Sequence, residues 1–192
     1  MKPKPIGIIG GAGPLAAVSL LEQIFSLARD QYGCWKDQDF PEVFFISFPF
    51  SDMLSETIDA PLIQQELSSC LQKLRANGAL VIGIACNTLH TFLSLKNKSE
   101  EDLFLIPKIV AEKINEETTP LILCTSTSLR FNLYTKYIPC LYPTPSTQEI
   151  VDRIITQILK GENVLESLKN LIKQQDADII VLGCTELSLY AK

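Results

Sequence analysis

The sequence predicts an α/β protein built from mostly parallel sheet flanked by helices. Short apolar runs alternate with amphipathic stretches along all 192 residues, the pattern of βαβ units. The runs are continuous and rich in β-branched residues, as in Leu80-Val81-Ile82-Gly83-Ile84, which fits strands covered on both faces. A strand ending in cysteine also occurs twice, at Ile82-Gly83-Ile84-Ala85-Cys86-Asn87-Thr88 and at Val181-Leu182-Gly183-Cys184-Thr185-Glu186.

Taken in order, the predicted strands are Pro5–Ile9, Val43–Phe48, Ala79–Ile84, Leu103–Ile106, Leu121–Cys124, Ile138–Tyr142 and Asp178–Leu182. Apolar residues at helical spacing predict helices over Pro14–Asp30, Ala60–Ala76, Ile109–Glu116, Ser126–Tyr134, Ser146–Lys160 and Val164–Gln175. Pro14 and Pro61 sit where first-turn prolines belong, Asn77-Gly78 closes the second helix, and Gly161 follows Lys160 at another helix end. The polar stretch Lys96–Asp102 is the candidate crossing between an N-terminal lobe, residues 1–98 with Cys86, and a C-terminal lobe, residues 99–192 with Cys184.

Seventeen Lys plus Arg against 22 Asp plus Glu leave a net charge of −5. With no basic cluster, nucleic acid is not an expected partner. No apolar run approaches the roughly 20 residues needed to cross a bilayer, and Met1-Lys2-Pro3-Lys4-Pro5 carries no signal-peptide core, so no membrane association is expected and a cytoplasmic location is. Six cysteines without a C-x-x-C pair and a single histidine, His90, give no zinc-site pattern, and no metal is expected. The cysteines are read as thiols, most of them buried.

The two cysteine-ended strands carry the chemistry. Ligands of open α/β sheets bind at the carboxyl edge of the strands. A thiol at the start of a following helix lies near unpaired N–H groups and the positive end of the helix dipole, a setting that favours the thiolate. Two such groups facing one ligand could remove a proton from one side and supply one from the other, inverting a stereocentre. Taken singly, each cysteine is equally a small buried residue at a strand end, and Cys34, Cys70, Cys124 and Cys140 are read that way. The repeated context separates Cys86 and Cys184 from them.

Gly7-Ile8-Ile9-Gly10-Gly11-Ala12-Gly13-Pro14-Leu15-Ala16, Cys86-Asn87-Thr88-Leu89-His90 and Gly183-Cys184-Thr185-Glu186-Leu187 together resemble the aspartate/glutamate racemase family, in its aspartate-racemase branch. The resemblance implies two similar α/β lobes with the active site in the cleft between them, a homodimer, and racemisation of an amino acid without pyridoxal phosphate or other cofactor. Such an isomerase belongs to amino-acid metabolism. It implies Cys86 and Cys184 as the acid and base acting on opposite faces of the α-carbon, with aspartate or glutamate as default substrates. Asn87, Thr88, Thr185, the hydroxyl pair Thr125 and Ser126, and Lys160 become substrate-binding candidates. Gly11 and Gly13 are expected to let the loop backbone pass close to the substrate. His90 and Glu186, which close the two cysteine motifs, are candidates for supporting groups that set thiol protonation, and a lone histidine equally reads as a hydrogen-bonded structural residue.

Some residues admit a second reading. Gly11-Ala12-Gly13-Pro14-Leu15-Ala16 satisfies G-x-G-x-x-A after a strand, but the second strand ends in Ser47-Phe48-Pro49-Phe50, without the acidic residue of a dinucleotide site. Thr125 and Ser126 could equally cap a helix, and Lys160 suits a helix C-terminus.

The sequence also departs from the family pattern. Met53 stands where an arginine helps to hold the substrate's distal carboxylate, and a thioether cannot bind a carboxylate bidentately. Ala85 replaces a proline, and Thr127 a glycine. The chain stops at Lys192, where relatives continue through another strand and helix, so Cys184 is expected on a less supported segment. These departures motivate two alternatives: a relative that binds a small amino acid or carboxylate without turnover, and a related cysteine-dependent isomerisation or decarboxylation.

Overall fold

A computed structural model describes residues 3–93, 101–115 and 117–191. The chain divides into two compact units, one formed by Met1–Asp52 and Asp59–Leu105, the other by Met53–Ile58 and Ile106–Lys192. The boundary expected between residues 98 and 99 lies outside the described residues. The short segment Met53–Ile58 goes with the second unit.

The first unit holds a four-stranded, all-parallel sheet in the order β2-β1-β3-β4, from β1 (Ile6–Gly10), β2 (Val43–Ser47), β3 (Val81–Ile84) and β4 (Leu103–Phe104). Helix α1 (Pro14–Tyr32) starts with Pro14 in its first turn and stops at Gly33, whose φ of 69° is left-handed and whose N–H reaches the Arg29 carbonyl. Helix α2 (Ala60–Ala76) is capped by Asp59, whose carboxylate accepts from the Leu62 N–H at 3.0 Å, and is ended by Asn77 and by Gly78 at φ 95°. Its buried face, Ile63, Leu67, Cys70, Leu71 and Leu74, belongs to the core that also holds Ile8, Ile9, Ile82 and Ile84. Each fully buried aliphatic side chain contributes roughly 1.5–3 kcal/mol. Arg75 near the end of α2 grips Asp102, just before β4, with two hydrogen bonds of 2.7 and 2.9 Å.

The second unit holds only two paired strands, β5 (Leu121–Leu123) and β6 (Ile180–Leu182), parallel and in register from Leu121 opposite Ile180. The strand expected over Ile138–Tyr142 reduces to one parallel bridge, Leu141 to Leu121. Two causes are visible. Pro139 lies within it and Pro143 directly follows it, neither supplying an N–H to a ladder, and the Ile138 N–H is taken by the Tyr134 carbonyl. Around this sheet lie α3 (Ile106–Lys113), α4 (Ser126–Arg130), α5 (Pro145–Leu159), α6 (Leu165–Lys173) and α7 (Thr185–Ser188). Pro107 moves the start of α3 forward to Ile106, cutting short the strand expected to run to that residue. The helix predicted over Ser126–Tyr134 breaks after Arg130, with Asn132 at φ 52°, and resumes as a 3-10 turn over Tyr134–Lys136. A core of Leu121, Leu123, Val151, Ile154, Ile155, Ile158, Leu168 and Leu171 packs these helices on the sheet.

The topology repeats. In the first unit β1 lies between β2 and β3; in the second β5 lies between the Leu141 bridge and β6. In each, the first strand is central, the chain next pairs on one side of it, and the last of the three elements pairs on the other. The gap between β1 and β3, and that between β5 and β6, are the switch points at whose carboxyl ends such folds bind ligands.

Candidate active site

At the first switch point, β1 runs out through Gly10 to Gly13 and β3 through Ala85 to Cys86. The two strand ends are tied by the Ala85 N–H to the Ile9 carbonyl at 2.9 Å. Gly11 has φ 99°, and a Cβ there would lie 2.1 Å from the Phe48 carbonyl oxygen and 2.5 Å from its nitrogen. What requires glycine is therefore the neighbouring backbone after β2. Gly13, at φ 80°, turns the chain into α1. Together the two positive-φ residues account for the glycine-rich motif as a tight passage from strand to helix.

Cys86 is 7% exposed, and Asn87, Thr88 and His90 beside it are equally buried. The segment after it is a 3-10 turn, Thr88–Phe92, too short to present the aligned dipole expected of a following helix. Hydrogen bonds fix it instead. The His90 N–H reaches the Asn87 carbonyl at 3.0 Å, and His90 Nδ1 lies 2.8 Å from the Cys86 carbonyl. Because a carbonyl can only accept, Nδ1 carries the proton in this arrangement. Burial holds the His90 pKa below its ordinary 6.5, outweighing the backbone contacts to Cys86, Asn87 and Phe104 that push it up. His90 is thus a neutral clasp on the cysteine's backbone.

At the second switch point, β5 ends at Cys124 and Thr125, and β6 at Gly183 and Cys184. The Gly183 N–H bonds the Leu123 carbonyl at 2.7 Å, and a Cβ on Gly183 would fall 2.7 Å from Ile122 and 3.1 Å from Tyr134. Glycine here lets β6 close on β5. Cys124 is fully buried, and burial first, then Asp152 and Cys140, pushes its thiol up to about 12, which leaves it unreactive at neutral pH. None of the six cysteines forms a disulfide.

Thr125 caps α4. Its hydroxyl accepts from the Ser128 N–H and donates to Ser128 Oγ, both at 3.1 Å, with both residues buried. The hydroxyl pair assembled here is accordingly Thr125 with Ser128. Ser126 turns away to Asp152 on α5, which accepts from its N–H at 3.0 Å and from its hydroxyl. Gln148, one turn earlier on α5, ties the same carboxylate to the Cys124 carbonyl with bonds of 3.2 and 2.8 Å. Thr127 donates to the Met53 carbonyl, and Arg130 to those of Glu56 and Ser55, which accounts for the membership of Met53–Ile58 in this unit. Sequence reasoning missed Ser128, Gln148 and Asp152, since polar residues on an amphipathic helix look like a solvated face until the fold is known. Lys160 is the C-cap of α5, exposed, two turns or about 12 Å beyond Asp152.

Cys184, 4% exposed, precedes the four-residue α7. Its thiol donates to Glu186 Oε2 at 2.9 Å, and the Thr185 hydroxyl donates to the same oxygen at 3.2 Å. Glu186 is itself buried, and its Oε1 has no hydrogen-bond partner among the described residues.

Two parallel α/β units, each delivering a buried cysteine to the carboxyl end of a strand beside a central one, define a cysteine-bearing α/β protein of duplicated design. The family model for Asp/Glu/Hydantoin racemases matches residues 9–192, and the chain belongs to that family. Among solved structures it is similar to an aspartate racemase from Picrophilus torridus, at 24% identity and a TM-score of 0.77, with 98% of this chain and 84% of that one covered. An aspartate racemase homologue from Pyrococcus horikoshii matches at 22% identity and TM-score 0.68, over 99% and 89% of the two chains. A glutamate racemase from Francisella tularensis, solved with D-glutamate, matches at 18% identity and TM-score 0.63, over 100% and 72%. Among the described residues no helix is long and apolar enough to cross a membrane.

Proposed function

We propose that the protein is a cofactor-independent amino-acid racemase in which Cys86 and Cys184 act on opposite faces of the substrate's α-carbon. One thiolate takes the α-proton and the other thiol returns a proton from the far side. The observation that carries this reading is the repeated placement of the two cysteines, each at the carboxyl end of the strand beside the first strand of its unit. The thiols Cys34, Cys70, Cys124 and Cys140 have no such counterpart in the other unit.

The α-proton of an amino acid is weakly acidic because the adjacent carboxylate is already negative. The barrier falls when aimed donors meet the charge that develops as the proton leaves. Asn87, Thr88 and Thr185, which follow the two cysteines, are the groups assigned to the α-carboxylate and ammonium, with Thr125 as a further substrate contact; Ser126, engaged by Asp152, and Lys160, exposed at the end of α5, are not assigned to it. Membership of the Asp/Glu/Hydantoin racemase family supports aspartate or glutamate as the substrate, and a cytoplasmic homodimer completes the reading.

Chiral chromatography of the purified 192-residue protein with each enantiomer of a panel led by aspartate and glutamate tests it. Both enantiomers should approach a 1:1 mixture from either side. A folded protein that leaves every amino acid of the panel unchanged would overturn the assignment.

A further inference from the structure

The second unit holds a cavity of about 450 Å³ between the segment Met53–Ile58, α4 and α5, lined by Leu54, Glu56, Leu129, Arg130 and Asp152 among others. That volume suits a small ligand. Neither Cys86, Cys184 nor Thr125 lines it, so it is not the site assigned to racemisation.

Two opposite charges meet in this cavity without joining. The Arg130 guanidinium donates to the Glu56 carbonyl at 2.9 Å, and to the Ser55 carbonyl and the Thr127 hydroxyl at 3.5 Å each. All three partners are neutral, and a guanidinium has five N–H donors, so two remain for a carboxylate. Asp152 accepts from the Ser126 N–H at 3.0 Å, from the Ser126 hydroxyl, and from the Gln148 side-chain amide at 3.2 Å. These partners are neutral too, and they fix the carboxylate in place. Neither Arg130 nor Asp152 forms an ion pair, with the other or with any described residue. A cation and an anion held apart in this way attract a ligand that carries both charges. The exposed Glu56 brings a second carboxylate to the lining, since it is its backbone carbonyl that Arg130 holds.

We propose that this cavity binds a free α-amino acid with a cationic side chain. The α-carboxylate meets Arg130, the α-ammonium meets Asp152, and the side-chain cation is drawn to Glu56. Leu54 and Leu129 supply apolar surface for the methylene stem. One cation against two carboxylates complements such a diamino acid. The same set selects against aspartate and glutamate, which bring two carboxylates and a single ammonium. A ligand spanning Arg130 and Asp152 also links Met53–Ile58, which Arg130 holds, to α5.

Titration of the ¹⁵N-labelled protein with L-lysine at low ionic strength, followed by NMR at the Ser126 amide and the Arg130 Nε–H, tests the proposal. Both signals should move together and saturate, with L-alanine binding more weakly and L-aspartate more weakly still. Acetate and methylamine, each carrying one of the two charges, should bind at least about tenfold more weakly than lysine. Arg130→Gln and Asp152→Asn should each weaken lysine binding by about tenfold or more, and Glu56→Gln should remove the preference for lysine over alanine. Signals that stay still throughout the lysine titration, a lysine affinity unchanged in Asp152→Asn, or aspartate bound as tightly as lysine would overturn the proposal. Should the Arg130 or Asp152 variant not fold, the order of affinities in the wild-type protein decides the matter alone. Turnover enters none of these readouts, so a failure of the racemase reading and a failure of this site are told apart.

Discussion

Serine in place of Cys86 or of Cys184 should each lower racemisation by about 10²–10⁴-fold, the usual worth of a positioned general acid or base. A hydroxyl is far less acidic than a thiol and cannot supply a comparable base at neutral pH. The two losses should also differ in kind. Each substitution removes the base on one face, so α-proton loss from one enantiomer should stop with inversion. The remaining cysteine stays in place, and residual exchange without inversion should survive for the other enantiomer, the two variants affecting opposite hands. Both rates are read from proton NMR in D₂O alongside chiral chromatography. A serine variant at either position that racemises at the wild-type rate would contradict the two-cysteine assignment. Each substitution removes a single sulfur from a buried site, so unfolding curves should remain close to those of the parent protein.

Gly11→Ala should be the most damaging small substitution in the first unit, costing about 4 kcal/mol or more. Its backbone sits at φ 99°, and the added methyl would meet the Phe48 carbonyl at 2.1 Å and its nitrogen at 2.5 Å. Those are backbone atoms beside β2, held by the Phe48 N–H bond to the Gly10 carbonyl. The methyl cannot be accommodated by a rotamer change, and conformational strain of about 1–3 kcal/mol adds to the clash. Gly33→Ala is the control. It has a positive φ of 69° but nothing within 4 Å of the new methyl, and should cost only about 1–2 kcal/mol. Urea unfolding of both variants checks the difference. Equal losses would mean that the approach to Phe48 is not what demands glycine.

Much of this architecture is legible in the sequence because parallel strands buried on both faces leave continuous apolar runs, and helices beginning at Pro or Asp and ending at Gly announce their limits. Helix α2 has the range read from the sequence, where Pro61 and Asn77-Gly78 mark its ends. The elements misread are those whose local pattern is overridden. Ile138–Tyr142 has a strand's composition, but Pro139 within it and Pro143 after it deny it a ladder. Ser126–Tyr134 has a helix's periodicity, but Asn132 takes a left-handed conformation within it. Cys86 and Cys184 stand out because their strand contexts repeat. Ser128, Gln148 and Asp152 do not, since their bonds bring residues from α4 and α5 to the end of β5, a pairing that no spacing encodes. The same is true of Met53–Ile58, which reaches the second unit through bonds from Thr127 and Arg130.

The short turns after both cysteines also change the physical explanation. A long helix dipole would favour thiolate at each site, but a 3-10 turn at Thr88–Phe92 and four residues at Thr185–Ser188 align few peptides. Specific partners stand in their place: His90 on the Cys86 carbonyl and Glu186 on the Cys184 sulfur.

The most direct measurement of the two-base claim is the early-time isotope content of substrate and product in D₂O, starting from one pure enantiomer. With separate bases on the two faces, product should carry deuterium at the α-carbon from the first turnovers while recovered substrate keeps its protium. Deuterium entering recovered substrate as fast as product forms would mean a single base serving both faces, and would contradict the account.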